Sequence, residues 1–410
     1  MKEADFIIIG AGLAGLATHH ELLKKHYSVI TLEDSGISGG RVQTKKIGKG
    51  LSDTGAQFFT FGYPRITKLL AELKIEAHKA SPLMGHLEKD RDFLVNTKNP
   101  LGALTSGLLS PKSYFLLFSH MLKLKFSGVK PESPETFHEE GSALDYCRKH
   151  LNEEILQKVM VPYFSAFNYA DPAELSSALV VRALLHMISG KPLLGLQGGL
   201  ATLPQALAKG KEIHYNTRAL SIEGTVVKTD KGDFKGKHVI IATTASIAYQ
   251  LLGSQFPSEL AVPYKSSVHE GLLVKKQNRN GSYGTLVSPE RNPDINVLTD
   301  ERYKAPGLAP SDFDLLGVLR SSAGAEKEII QGETKLLNIS ETDVMERQTS
   351  VWKEAIPLLR PGHFTAIKNY RRSLTKDSPV FLAGDFLSTG CAEGAVESGH
   401  FIAGLFASRL

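Results

Sequence analysis

The stretch Phe6-Ile7-Ile8-Ile9-Gly10-Ala11-Gly12-Leu13-Ala14-Gly15 constrains the fold more than any other part of the chain. An Ile-rich apolar run ends in a glycine turn and passes into a helical pattern. That order of strand, tight turn and helix is the one that receives a dinucleotide pyrophosphate. Gly10 allows a sharp turn, Gly12 leaves bare backbone for a phosphate to approach, and Gly15 lets helix and strand pack closely. The free N–H groups of the first helical turn would face the negative charge. A second strand is expected at Tyr27-Ser28-Val29-Ile30-Thr31-Leu32, ending in Glu33. Glu33 lies about 20 residues beyond the turn, where a carboxylate grips ribose hydroxyls. The spacing therefore predicts an α/β fold that binds a dinucleotide.

Further motifs indicate which dinucleotide. Asp34-Ser35-Gly36-Ile37-Ser38-Gly39-Gly40-Arg41 follows Glu33, and then comes Leu51-Ser52-Asp53-Thr54-Gly55-Ala56-Gln57-Phe58-Phe59. Near the other end stand Val380-Phe381-Leu382-Ala383-Gly384-Asp385 and Gly390-Cys391-Ala392-Glu393-Gly394-Ala395-Val396-Glu397-Ser398-Gly399. In these motifs and their order the chain resembles the FAD-dependent amine oxidase superfamily, which also holds protoporphyrinogen oxidases, phytoene desaturases and renalases. The resemblance implies a Rossmann-like FAD-binding domain of the GR2 type, assembled from discontinuous segments, with an inserted α+β substrate domain. The expected FAD-binding pieces are 1–78, 194–252 and 370–410; the substrate pieces are 79–193, mostly helical, and 253–369.

The resemblance also assigns cofactor contacts. Gly10, Gly12, Leu13, Ala14 and Gly15 would hold pyrophosphate, Glu33 a ribose, and Ala219 the adenine side through its backbone, with Asp34 also among the cofactor contacts. Gly40, Arg41, Gly55, Ala56, Gln57 and Phe58 would follow along the cofactor. Arg41 would neutralise pyrophosphate, with a structural ion pair as the alternative. Gly384 and Asp385 would touch the ribityl or pyrophosphate portion. Cys391, Ala392 and Glu393 would set a helix start against the flavin edge where charge builds on reduction.

Composition sets outer bounds. With 410 residues, 42% hydrophobic and 22% charged, the chain suits an ordinary globular protein with a large core. A net charge of +5 is mild, and its densest patch, Lys45-Lys46 with Lys49, reads as a solvated turn, so no nucleic-acid partner is expected. Cys147 and Cys391 form no CxxC, which disfavours a disulfide framework and fits a reducing compartment. No metal ligand set is read. The first strand begins close to Met1, so no targeting peptide is expected, and no run of 18 apolar residues exists. The expectation is a cytoplasmic protein. Residues 101–126 approach an interfacial helix pair that could touch the inner face of a membrane. The favoured reading is a helix that covers a substrate cavity.

Taken in order, a helix is expected over Pro64–Leu73, short strands over Leu83–Leu87 and Phe93–Val95, and mostly helix over 101–190. One helix opens at Ser142, and a 3.6-residue pattern runs from Glu153 until Pro162. Tyr163, Phe164, Phe167 and Tyr169, within a run that resembles the substrate region of protoporphyrinogen oxidases and desaturases, could line a pocket or simply pack a core. A hairpin is expected at Gly224–Phe234, and a buried strand at His238–Thr243. Strands of the substrate sheet are read at Gly271–Val274, Gly284–Val287, Ile295–Leu298 and Leu315–Arg320. Asp343–Leu359 reads as an amphipathic helix and Phe364–Tyr370 as a strand.

A flavin supplies hydride chemistry; the protein supplies position, electrostatics and exclusion of water. Many amine oxidases carry a lysine on a substrate-domain strand near the flavin. Here that position falls on Glu270, with His269 beside it, so both become candidate catalytic residues. Tyr370 stands where relatives often have Trp, which makes it a third. Trp352 is set aside because it lies in the helical pattern. One tyrosine of the amine oxidase aromatic cage maps to Cys391, and no cysteine stands where those enzymes link flavin covalently, so the resemblance implies non-covalent FAD. The expected function is an FAD-dependent oxidoreductase that takes hydride from a C–N or C–C bond of a small molecule, with O2 as reoxidant. One alternative is a protoporphyrinogen-oxidase- or desaturase-like enzyme for a large apolar substrate. Another is a flavin-dependent isomerase or non-redox flavoprotein.

Overall fold

The computed structural model describes residues 1–321 and 330–408. The expected 253–369 and 370–410 pieces thus each include a few positions, 322–329 and 409–410, that lie outside the described residues.

The first sheet grows from the glycine-turn segment. The strand Lys2–Ile9 pairs in parallel with Val29–Leu32 on one side and with Gly232–Ile241 on the other. Ile213–His214 extends one edge, and Val380–Leu382 pairs in parallel with Gly232–Ile241. Phe6, Ile7, Ile8, Val239, Ile240 and Ile241 have essentially no exposed surface, the pattern of a parallel sheet covered on both faces. The expected hairpin and the expected buried strand prove to be one element. Gly232–Ile241 first pairs antiparallel with Val226–Thr229 and then runs on as the central parallel strand. The helices Leu13–Lys24 and Ala392–Gly404 pack side by side against this sheet.

The second sheet runs in the order Val344–Pro357, Tyr264–Lys275, Phe313–Ser321, Ile295–Asp300, Gly284–Val287, Leu83–Leu87, Asp92–Asn96. Its strands thus come from two separate parts of the chain. One face carries Leu272, Val274, Leu298, Leu316 and Val318; the other carries Leu286, Val297 and Leu319 against Ala166 and Phe167 of the helical region.

Three expectations are corrected. Val344–Pro357 is a strand, not a helix. It borders the sheet and is half exposed, so its apolar positions follow neither period cleanly. His363–Ser373 is a helix, not a strand. Its buried residues His363, Phe364, Ala366, Ile367 and Arg371 recur at helical spacing, and that burial outweighs the β preference of Phe, Thr, Ile and Tyr. Pro162 does not stop a helix either. The chain passes through a wide turn at Leu156–Met160 and continues as Val161–Asn168, with Pro162 in the first turn, where a missing N–H leaves no bond unmade.

Leucine, phenylalanine and valine side chains of the helical region build the largest core cluster, which joins it to the first sheet. Ser142 and Asp145 cap the helix Ala143–His150 reciprocally. Among the described residues no helix is long and apolar enough to cross a membrane.

Candidate active site

The glycine turn sits on the crest of the first sheet. Gly10 has φ +105°, and a Cβ there would lie 2.6 Å from the Ala242 carbonyl oxygen; a Cβ on Gly15 would lie 2.0 Å from the Gly10 oxygen. Larger residues at either position would break the crossing of helix and strand. Gly12 opens the helix Leu13–Lys24 in extended backbone, with no side chain capping the helix. A Cβ on Gly12 would meet nothing within 4 Å. Bare amides facing open space suit a pyrophosphate. Glu33 Oε2 accepts from Ala11 N at 2.7 Å, and Oε1 from Ser35 N and Oγ at 2.9 and 2.7 Å. The carboxylate is thus fixed beside the turn, with lone pairs left for a sugar hydroxyl. Asp34 pairs with Arg218, next to Ala219, on the exposed side of the same crest.

Arg41 and Asp385 meet directly. The guanidinium donates two bonds to the carboxylate, at 2.9 and 2.8 Å, and a third to the Ala355 carbonyl at 3.0 Å. Of the two roles weighed for Arg41, the ion pair is the one these contacts describe. Gly40 packs over Gly12, and Ala56 N bonds the Arg41 carbonyl, so the 39–41 loop and the 54–58 turn are held together near the glycine turn.

That second turn is anchored from below by a group no local pattern announced. Asp53 is fully buried and accepts from Lys304 Nζ at 2.5 Å, Thr44 Oγ1 at 2.5 Å and Leu200 N at 2.8 Å. Lys304, also fully buried, reaches Glu301 at 3.0 Å. Burial pushes the Glu301 carboxyl up to about 7, with Lys304 opposing. The cluster ties the second sheet to Thr54-Gly55-Ala56-Gln57, and Tyr283 adds a bond from its hydroxyl to the Gln57 carbonyl at 2.6 Å.

The helix Ala392–Gly404 begins at Cys391, whose Sγ accepts from Gly394 N at 3.4 Å. Cys391 belongs to a second buried cluster. Glu132 accepts from Arg182 at 2.7 Å, His186 at 2.5 Å and Thr389 at 2.9 Å, and Arg182 also lies 3.1 Å from Cys391 Sγ. Burial works against ionised Glu132, yet Arg182 and His186 hold its carboxyl below the usual range. Burial pushes the Cys391 thiol up. Glu393 points away from this cluster. Its carboxylate, with no exposed surface, accepts from Arg65 N and Ile66 N at 2.9 Å each, at the start of the helix Pro64–Glu72.

A cavity of about 650 Å³ lies between the helical region, the second sheet and the start of the helix Ala392–Gly404. Gly55, Ala56, Gln57, Phe58, Cys391 and Ala392 form one end of its wall, and Ile356 lies beside them. Tyr163, Phe164, Phe167 and Tyr169 all line it, and Phe58 meets Phe167 edge to face. Tyr114, Leu117 and Met121 of the helix Pro111–Lys125 close another side. Arg182, Lys79, Lys98 and Lys191 reach the lining, whereas no Asp or Glu among the described residues does.

The family profile described as flavin containing amine oxidoreductase matches residues 13–404. The chain belongs to that family. It is therefore a flavoprotein and an oxidoreductase. It is 24% identical to the 15-cis-phytoene desaturase of Capsicum annuum over 98% of this chain and 77% of that one. It is 28% identical to protoporphyrinogen oxidase 2 of Arabidopsis thaliana over 41% of this chain, spanning only 33% of that relative. The solved structure of cyclohexylamine oxidase from Brevibacterium oxydans superposes with a TM-score of 0.75 at 17% identity, covering 98% of both chains. The mixed α/β architecture, a Rossmann-like FAD-binding part with a substrate part, agrees with such neighbours.

Against the family pattern, the three residues singled out for catalysis do not converge. Glu270 lies on the sheet face opposite the cavity, in register with Val318 and Leu298, and receives a bond from Arg347 at 3.1 Å. His269 is on the cavity face but is sealed from it among Ser52, Gly317 and Lys304, and burial drives its pKa to about 3. Tyr370 lies on a helix rather than a strand, and its hydroxyl accepts from Leu382 N at 2.8 Å. Trp352, set aside from the sequence, is the strand residue. It pairs with Ser267, donates from Nε1 to the Thr54 carbonyl at 2.6 Å, and lies against Gly55.

Proposed function

We propose that this chain binds FAD non-covalently and dehydrogenates a large, flat, apolar substrate that carries acid groups, in the manner of a protoporphyrinogen oxidase rather than an amine oxidase. The observation that carries this reading is the cavity lining: aromatic and aliphatic walls, three lysines besides the Glu132-paired Arg182, and no carboxylate in the lining among the described residues. An alkylammonium substrate would lose its hydration without gaining a counter-ion there, a cost of several kcal/mol in order of magnitude. A carboxylate would find Lys79, Lys98 or Lys191, whereas Arg182 is already paired with Glu132. A carotene, with no charged group, would use the walls alone, so the cations favour the acid-bearing substrate over the desaturase alternative.

The chain's own residues have definable tasks in this reading. Amides of Gly12, Leu13 and Ala14 hold the pyrophosphate, Glu33 a ribose, and the amides opening the helix Ala392–Gly404 the flavin edge where charge builds. FAD held by these residues would supply the hydride acceptor. Ile356, Phe58, Phe167 and Tyr163 exclude water and orient the flat face of the substrate. Non-covalent binding is supported by the resemblance, which finds no cysteine where amine oxidases link their flavin; Cys391 falls instead at a cage-tyrosine position and is engaged with Arg182 and Gly394. Heat or acid release of intact FAD from yellow protein tests the cofactor; anaerobic bleaching by an acid-bearing rather than an amine substrate tests the cavity.

The helix Pro111–Lys125 adds a docking role. Its inner face lines the cavity, while Phe115, Phe118, Leu122 and the adjoining Phe126 are exposed, with Lys112, Lys123 and Lys125 among them. Apolar side chains ringed by lysines fit the inner, anionic surface of a membrane from which an apolar substrate would enter. Flotation with vesicles containing phosphatidylserine, lost on Phe115→Ser with Phe126→Ser, tests it.

A further inference from the structure

The cavity has a floor, and the floor has a polar end. Strand register places His86, Leu286, Val297, Leu319 and His269 in one row across the second sheet. The three middle residues pack as an apolar cluster. His86, at the end far from Trp352 and Ile356, lines the cavity and is 8% exposed. Its Nδ1 is sealed from solvent and has no hydrogen-bond partner among the described residues.

A buried polar atom without a partner is costly and rare in a folded chain. The surroundings do not explain it as an ion pair. No carboxylate lines the cavity among the described residues, and Met84, Val95 and Leu286 lie beside His86. Burial keeps the ring neutral, with its pKa lowered to about 4, so it offers one N–H donor and one acceptor. Lys98 follows the strand Asp92–Asn96 that pairs with the His86 strand, and lines the same cavity.

The distance is informative. Five strand steps separate Val344–Pro357, which carries Trp352 and Ile356, from Leu83–Leu87. At about 4.8 Å per step that is roughly 24 Å, too far for His86 to touch a reacting bond at the flavin end. It is within reach of the remote end of a large substrate.

We propose that His86 is a specificity-determining residue: its imidazole, turned about the Cβ–Cγ bond so that the sealed, unpartnered Nδ1 comes out into the cavity, hydrogen-bonds an acid or carbonyl group at the end of the substrate remote from the flavin. The inference rests on the acid-bearing, apolar substrate class argued above. It converts an unpartnered atom in the free protein into a satisfied one in the complex, and so discriminates against a hydrocarbon of the same shape.

The test uses FAD-loaded wild type, His86→Phe and His86→Gln, each first shown to melt and to retain flavin as wild type does. Mesoporphyrin IX, with two carboxylates, and etioporphyrin I, with alkyl groups alone, are titrated by fluorescence. The expected result is a roughly tenfold weaker binding of mesoporphyrin to His86→Phe, largely restored in His86→Gln, with etioporphyrin affinity changed less than about twofold. Equal loss for both porphyrins, or no loss for either, overturns the assignment to His86 alone. Failure of wild type to bind mesoporphyrin overturns it together with the substrate class.

Discussion

Arg41 and Asp385 stand 344 residues apart in sequence and close a two-pronged ion pair at 2.9 and 2.8 Å. The pair joins the loop after the second strand to the turn that follows the strand Val380–Leu382, so two distant segments that would touch the cofactor position one another. Asp385 is almost fully buried, and the bond from Arg41 to the Ala355 carbonyl extends the tie to the Trp352 strand.

Arg41→Ala leaves a buried carboxylate unpaired, which should cost about 3–5 kcal/mol. Urea unfolding of the apoprotein measures it. Arg41→Lys should recover only part, because an ammonium lacks the planar fork. A loss below about 1 kcal/mol in Arg41→Ala would contradict the tie.

Glu33→Ala removes the acceptor for Ala11 N and for Ser35. Both the ribose grip and the shape of the glycine turn should suffer. Titration of apoprotein with FAD should show affinity weakened at least about tenfold, with the fold retained, since a charge-assisted bond contributes roughly 1.5–3 kcal/mol. Unchanged affinity would remove Glu33 from the cofactor site.

What the sequence revealed, and what it hid, follows from how local each signal is. The glycine turn and the strand Val29–Leu32 need only neighbours along the chain, and they read correctly as local structure. So did the central strands Gly284–Val287 and Ile295–Asp300, whose apolar runs are buried. Trp352 was misread because its strand has one partner and a half-exposed face, so neither period dominates. Glu270 was aimed at the flavin on a register that strand pairing turns to the opposite face. Lys304, Glu132, Arg182 and His86 carry no local signature at all; only the folded arrangement brings an aspartate to Lys304 or leaves His86 facing a cavity.

Glu393 makes stability depend on pH. Burial pushes its carboxyl up to about 7, against the bonds from Ile66 N and Arg65 N. The folded-state pKa is above the unfolded value of about 4.5, so between these values the folded chain holds a proton the unfolded chain has released. Stability contributed by this group is fully present below pH ~4.5 and is lost as pH rises to about 7, at most about 3 kcal/mol. Glu393→Gln should flatten the Tm–pH curve in that window relative to wild type. An unaltered difference curve would contradict a buried, protonatable Glu393.

The most direct test of the account is anaerobic mixing of the flavin-loaded protein with protoporphyrinogen IX and, separately, with benzylamine, tyramine and spermidine, while flavin absorbance is followed. A cavity with cationic side chains and no carboxylate among the described residues predicts bleaching by the reduced tetrapyrrole and persistent yellow colour with the amines. Bleaching by any of the amines at about 1 s⁻¹ or faster, with protoporphyrinogen inert, would contradict it.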